Sequence, residues 1–195
     1  MSRGGLYNVE LDAKTDVFKF ATGYVSQRLF ERQPIDDRVW IVATALTLIG
    51  FVTYQLLINS WFDTSKFVTG SAKMAVDDAL KFLTMFMVVQ LISGKSLSDP
   101  QWITDTGLFI ASIVAYDVTL GNFVNTKLQS LDSTVSLAIN DVLKWGSVFA
   151  ANNFAKGGSF DKQWLMSTGG FLTGFVVYDV LIDKYTQKFV KAGSL

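Results

Sequence analysis

Asp99 to Asp117 reads "DPQWITDTGLFIASIVAYD", and Asp161 to Asp179 reads "DKQWLMSTGGFLTGFVVYD". Both are apolar runs long enough for a helix, and both carry aspartates at their rims. Shifting the second back by 62 residues lays Trp164 on Trp102, Thr168 on Thr106, Gly169 on Gly107 and Tyr178-Asp179 on Tyr116-Asp117. A further shift of 62 lays Trp102 on Trp40, Thr106 on Thr44, Val114 on Val52 and Tyr116 on Tyr54, with Gln55 in the place of Asp117. The segments before each tryptophan recur too: "DVFKF" at 16–20, "DALKF" at 78–82 and "DVLKW" at 141–145, the last displaced by 63. Agreement in a fixed register over this length marks an internal repeat. The chain reads as a triplication, with units at about 16–62, 77–124 and 140–187 behind an N-terminal extension, 1–15, all within one membrane domain, 1–195.

Each unit is a shorter apolar run, a tight connection and a longer apolar run. The shorter runs lie at 16–31, 77–93 and 140–156. The first longer run, near 39–61, sits in an uncharged stretch from Val39 to Phe62, 24 residues. About 20 mostly apolar residues suffice to span a bilayer. The third is uncharged from Gln163 to Tyr178, and the second is bracketed by Asp105 and Asp117. The glycines of "ISGKSLSDPQW" and "AKGGSFDKQW" read as helix C-caps, with Asp or Ser as the next N-cap and Pro100 in the first turn. Connections this short make antiparallel hairpins. The expected fold is all-α: a six-helix membrane bundle built from three repeated helical hairpins.

Composition agrees with an apolar surrounding. Half of the residues are hydrophobic and 17% are charged, against about 25% in typical soluble domains. A soluble helical scaffold is the competing reading, but the longer runs lack the polar face that a surface helix carries. In each, Trp and Tyr stand 14 residues apart, about 21 Å along a helix. Trp40, Trp102 and Trp164 at one depth, with Tyr54, Tyr116 and Tyr178 at the other, form an expected interface belt. Of the 17 basic residues, 11 fall on the side of the two termini, which places that side in the cytoplasm.

Cys and His are absent, and Lys+Arg equals Asp+Glu at 17 each. This removes thiol and imidazole chemistry and gives no net field toward nucleic acid. "GKS" at 94–96 lacks the glycine and the strand of a phosphate loop. No catalytic residue, cofactor or metal site is expected, and the chain does not read as an enzyme. The candidate intramembrane polar set is Gln55, Asp117 and Asp179, which a pseudo-threefold axis would gather into a ring, together with Arg28, Gln90 and Asn153, and Asp105 near the Trp end. A polar ring at apolar depth suggests an ion or proton path; capping of the spans at the interface is the plainer reading of the aspartates. Arg28, Gln90 and Asn153 either meet those carboxylates or tie the hairpins together. Lys19, Lys81 and Lys144 read as snorkelling to the headgroups.

The connection "QLISGKSLSDPQWI", followed by a short apolar helix ending "AYD", resembles small multi-helix membrane proteins of large icosahedral double-stranded DNA viruses. The resemblance covers residues 78–120, with the repeat copy at 141–182. It implies a structural, non-catalytic role, a minor capsid or membrane protein anchoring the virion's inner membrane against the capsid. Its partners would be the lipid bilayer and other capsid or membrane proteins, in a homo- or hetero-oligomer. The alternative is a small multipass transporter or channel using the Asp/Asp/Gln ring.

Overall fold

A computed structural model describes residues 3–186, with side chains from residue 14 onward except at 125. The chain is all-helical, 82% helix in six helices, with no strand among the described residues. They are α1 (Arg3–Phe30), α2 (Arg38–Asn59), α3 (Gly70–Ile92), α4 (Pro100–Leu128), α5 (Ser133–Ala155) and α6 (Lys162–Thr186). The N-terminal extension is helical from Arg3 and runs unbroken into the first repeat. The first turns of α3 and α5 also precede the apolar runs, because polar residues continue a helix beyond the face it buries. In α3 the pair Lys73–Asp77, 2.5 Å apart one turn along, supports such an extension. Residues 187–195, including Lys188 and Lys191 of the charge-asymmetry count and the end of the third repeat, lie outside the described residues.

The three hairpin turns are built alike. Each first helix ends with a residue in the left-handed region: Arg32 (φ 55°), Gly94 (68°) and Gly157 (69°). The backbone N–H of the next residue donates to a carbonyl five residues back: Gln33 to Arg28, Lys95 to Gln90, Gly158 to Asn153, at 2.9–3.0 Å. This closes the helix and satisfies a carbonyl that would otherwise be orphaned. Each second helix is then capped by an aspartate, Asp37, Asp99 or Asp161, which accepts from the N–H of Trp40, Trp102 or Trp164 at 3.0, 3.4 and 2.8 Å.

Consecutive helices pack side by side, and α6 closes against α1 to complete a ring of six. The seams between hairpins rest on small residues. A Cβ at Gly174 would meet the backbone of Thr22 and Gly23 of α1, and one at Gly50 would meet Cα of Met85 of α3 at 2.7 Å. Inside the ring, positions in repeat register form layers. Phe20, Phe82 and Trp145 meet one another with centroids 5.1–5.9 Å apart. Phe51, Ile113 and Phe175, all 0% exposed, pack around them. Aromatic contacts of this kind add about 0.5–1.5 kcal/mol per pair beyond burial. The trio plugs the axis of the bundle.

The outer surfaces of α2, α4 and α6 are different. These three helices are long and apolar enough to cross a membrane, and only 22%, 22% and 33% of their apolar windows are buried in the bundle. Leu56, Leu57, Ile103, Leu165 and Leu181 point outward.

Candidate functional site

The recurring "D-x-x-K" places an Asp and a Lys one helical turn apart, and so on one face. The structure turns that face inward on α1, α3 and α5. Opposite it, α2, α4 and α6 each loosen into a π-helical turn that starts at the closing tyrosine: Tyr54–Asn59, Tyr116–Gly121 and Tyr178–Ile182. Such turns are rare and are often found at functional sites. The second residue of each is Gln55, Asp117 or Asp179, and all three are buried.

These nine positions interlock in a cycle, each hairpin's lysine reaching the acids of the hairpin before it. Lys144 pairs with Asp78 and, at 2.6 Å, with Asp117 Oδ1. Lys19 pairs with Asp141 and, at 2.7 Å, with Asp179 Oδ1. Lys81 pairs with Asp16 at 2.8 Å. In that first corner Gln55 donates to Asp16 at 3.1 Å and accepts from Asn59 at 2.7 Å. A polar cavity of about 500 Å³ opens there, lined by Asp16, Gln55, Asn59, Asp77 and Lys81. The lysines therefore do not snorkel outward. Burial without partners would be costly for either sign, and each charge removes that cost for the other only because they converge.

The three tyrosines are not outward-facing rings at a lipid boundary. They are buried, because each continues the regular helical period of the buried face: Tyr54 lies three residues after Phe51, Tyr116 three after Ile113 and Tyr178 three after Phe175. Tyr116 donates to Asn140 at 3.2 Å, and Tyr178 lies 3.1 Å from the Thr186 hydroxyl. Trp40, Trp102 and Trp164 are half-buried at the turn end. The Arg28 guanidinium lies over the Trp40 ring. There the backbone N–H groups of Trp40 and Trp164 hold the Asp37 and Asp161 carboxyls below the usual carboxylate range.

Arg28, Gln90 and Asn153 do not join the charged ring. Arg28 is 12 residues from Asp16, about 18 Å along the helix. Gln90 donates to Ser96 O at 2.9 Å and Asn153 to Ser159 O at 3.0 Å. Arg28 donates to Gln33 and lies 3.3 Å from Asp37. All three brace the hairpin turns. Asp105 pairs with Lys156 at 2.9 Å at the same end. On the axis above the plug, toward the turns, lies an apolar cavity of about 230 Å³ walled by Tyr24, Phe86, Phe109, Phe149 and Phe171.

The class defined by this geometry is a closed six-helix bundle with apolar outer faces on α2, α4 and α6 and an internal ring of ion pairs. No known protein family, curated protein or solved structure matches the chain.

Proposed function

We propose that the chain is a multipass integral membrane protein with a structural, non-conducting role. The observation that carries this reading is the plug formed by Phe20, Phe82 and Trp145, which seals the axis between the apolar cavity and the charged ring. The outward apolar faces of α2, α4 and α6 support a lipid surrounding, since a surface helix in water keeps a polar face. All six helices span in this reading, with both termini on the cytoplasmic side. The shorter helices cross because their charged residues turn inward and pair. The resemblance to membrane proteins beneath icosahedral capsids assigns it to a virion's inner membrane, where it anchors the membrane to neighbouring capsid or membrane proteins.

The test has two arms. The protein should remain in the membrane pellet after alkaline wash, and it should be recovered in the membrane layer of purified virions. Reconstituted into sealed vesicles, it should pass neither protons nor alkali ions. A second reading, transport, is favoured by the buried ring and the polar cavity beside Gln55. Proton or cation flux that disappears in Asp117→Asn/Asp179→Asn would replace the structural reading with that one.

A further inference from the structure

The ring's charges do not balance corner by corner. In the first corner, one ammonium (Lys81) meets one carboxylate (Asp16), and the remaining place is filled by the neutral Gln55. In the other two corners one ammonium meets two carboxylates: Lys144 with Asp78 and Asp117, Lys19 with Asp141 and Asp179. Each of these corners carries one excess negative charge if every group is ionised.

The surplus is deeply placed. The side chains of Asp117 and Asp179 are 3% and 1% exposed. Asp117 Oδ2 and Asp179 Oδ2 are buried with no hydrogen-bond partner; Asp179 Oδ1 has only the Lys19 ammonium beside it. A buried carboxylate oxygen without a donor is costly, and such groups are relieved by gaining a counter-charge or a proton. Two carboxyls that meet at one ammonium nitrogen crowd like charges together, and one proton relieves both.

Other groups around these acids do not supply the missing charge. Asp117 faces Asp78 of α3 and Lys144 of α5, beside Tyr116 of its own helix. Asp179 faces Lys19 of α1 and Asp141 of α5, beside Tyr178 and Asp183 of its own helix. Asp78 also faces Lys81, whose ammonium is already paired with Asp16; among the described residues no further cation faces these acids. A metal ion is a poorer fit than a proton: among the described residues no group of three or more acidic side chains is placed to hold one.

We propose that the folded bundle binds two protons, one shared by Asp78 and Asp117 and one shared by Asp141 and Asp179, while Gln55 stands permanently in the neutral form at the third corner. The protons come from water, and each converts a surplus carboxylate to a carboxylic acid that donates to its neighbour. This goes beyond the structural membrane role and does not depend on it, because the ring is enclosed by the bundle whatever surrounds the outside.

Infrared difference spectroscopy of the full-length folded protein reads this directly, through the carboxylic-acid C=O stretch and its shift in heavy water. At neutral pH two protonated carboxyls per chain are expected. Asp117→Asn/Asp179→Asn should have none and should fold, since the amide reproduces the neutral acid. Gln55→Asp should show three. Equilibrium unfolding gives a second readout. The folded chain holds two protons that the unfolded chain has released above about pH 5, so stability falls with rising pH. The unfolding constant should rise about a hundredfold per pH unit in the wild type and stay flat in the double variant. Absence of the acid band, its persistence in the double variant, its removal by sodium or potassium at fixed pH, or failure of the double variant to fold would each overturn the assignment. None of these outcomes bears on membrane retention or virion recovery, which test the role separately.

Discussion

Two corners of the same ring differ in kind. Where α6 closes on α1, Lys19 holds two carboxylates, and Gly174 lets the α6 backbone lie directly on the backbone of Thr22 and Gly23. Where α2 meets α3, Lys81 holds one carboxylate, Gln55 supplies a second donor, Gly50 rests on Met85, and a polar cavity opens beside the site. One plan thus yields a dense, charge-dependent closure at one seam and a balanced, partly open joint at another. The lesson is that repetition sets which residues meet, while single departures from the repeat set how much depends on each meeting.

The largest effect that could break this contrast is loss of a ring lysine. Lys19→Met strands Asp141 and Asp179 and should cost about 3–5 kcal/mol. Lys81→Met leaves Asp16 with the Gln55 amide as donor and should cost distinctly less. Denaturant titration of both variants in one detergent measures the difference; equal losses would mean the corners are equivalent after all. Next comes the seam itself. Gly174→Ala forces a methyl onto main-chain atoms that cannot rotate away, and should cost about 1–3 kcal/mol. At Gly50 the added methyl also meets main chain, Met85 Cα at 2.7 Å, but a second close atom, Cγ at 2.9 Å, belongs to a flexible side chain, whereas the three nearest atoms at Gly174 are all backbone, so Gly50→Ala should be the milder change in the same assay. The smallest effect lies at the turns. Arg32 holds the left-handed position that Gly94 and Gly157 occupy in the other hairpins. Arg32→Gly removes its steric cost, offset in part by the entropy of a freer unfolded chain, and should raise stability by about 0.5–1 kcal/mol. A thermal melt that moves downward would show that Arg32's side chain matters more to the turn than its backbone strain does.

The six helices, their pairing into hairpins and the turn chemistry were legible because each has a local cause. Apolar runs, Gly94, Gly157, Asp99 and Pro100 act within a few residues of themselves. The inward turn of Lys19, Lys81 and Lys144 was less legible, although "D-x-x-K" recurs at every repeat. Spacing shows that an Asp and a Lys share a face, but not whether that face meets lipid headgroups or another hairpin's carboxylates. The tyrosines went astray for a different reason. A regular helical period carries Tyr54, Tyr116 and Tyr178 near the face of the tryptophans, and equally onto the face of the buried Phe51, Ile113 and Phe175; the period does not tell a lipid-facing side from a bundle-facing one. The start of α1 at Arg3 was hidden because residues 3–15 have no apolar run to advertise a helix. Glu10 and Lys14, four apart, have a spacing that favours one all the same.

The cyclic hand-off of lysines also sets an order on biosynthesis. Lys19 belongs to the first hairpin made, yet its partner Asp141 lies 122 residues later, and Asp179 comes in the last helix. Lys144 finds Asp78 and Asp117 already synthesised. Every hairpin after the first therefore arrives with its acids waiting ahead of it, whereas the first must hold an unanswered ammonium until the third hairpin has been made. The third hairpin, in effect, fastens an electrostatic clasp back onto the first.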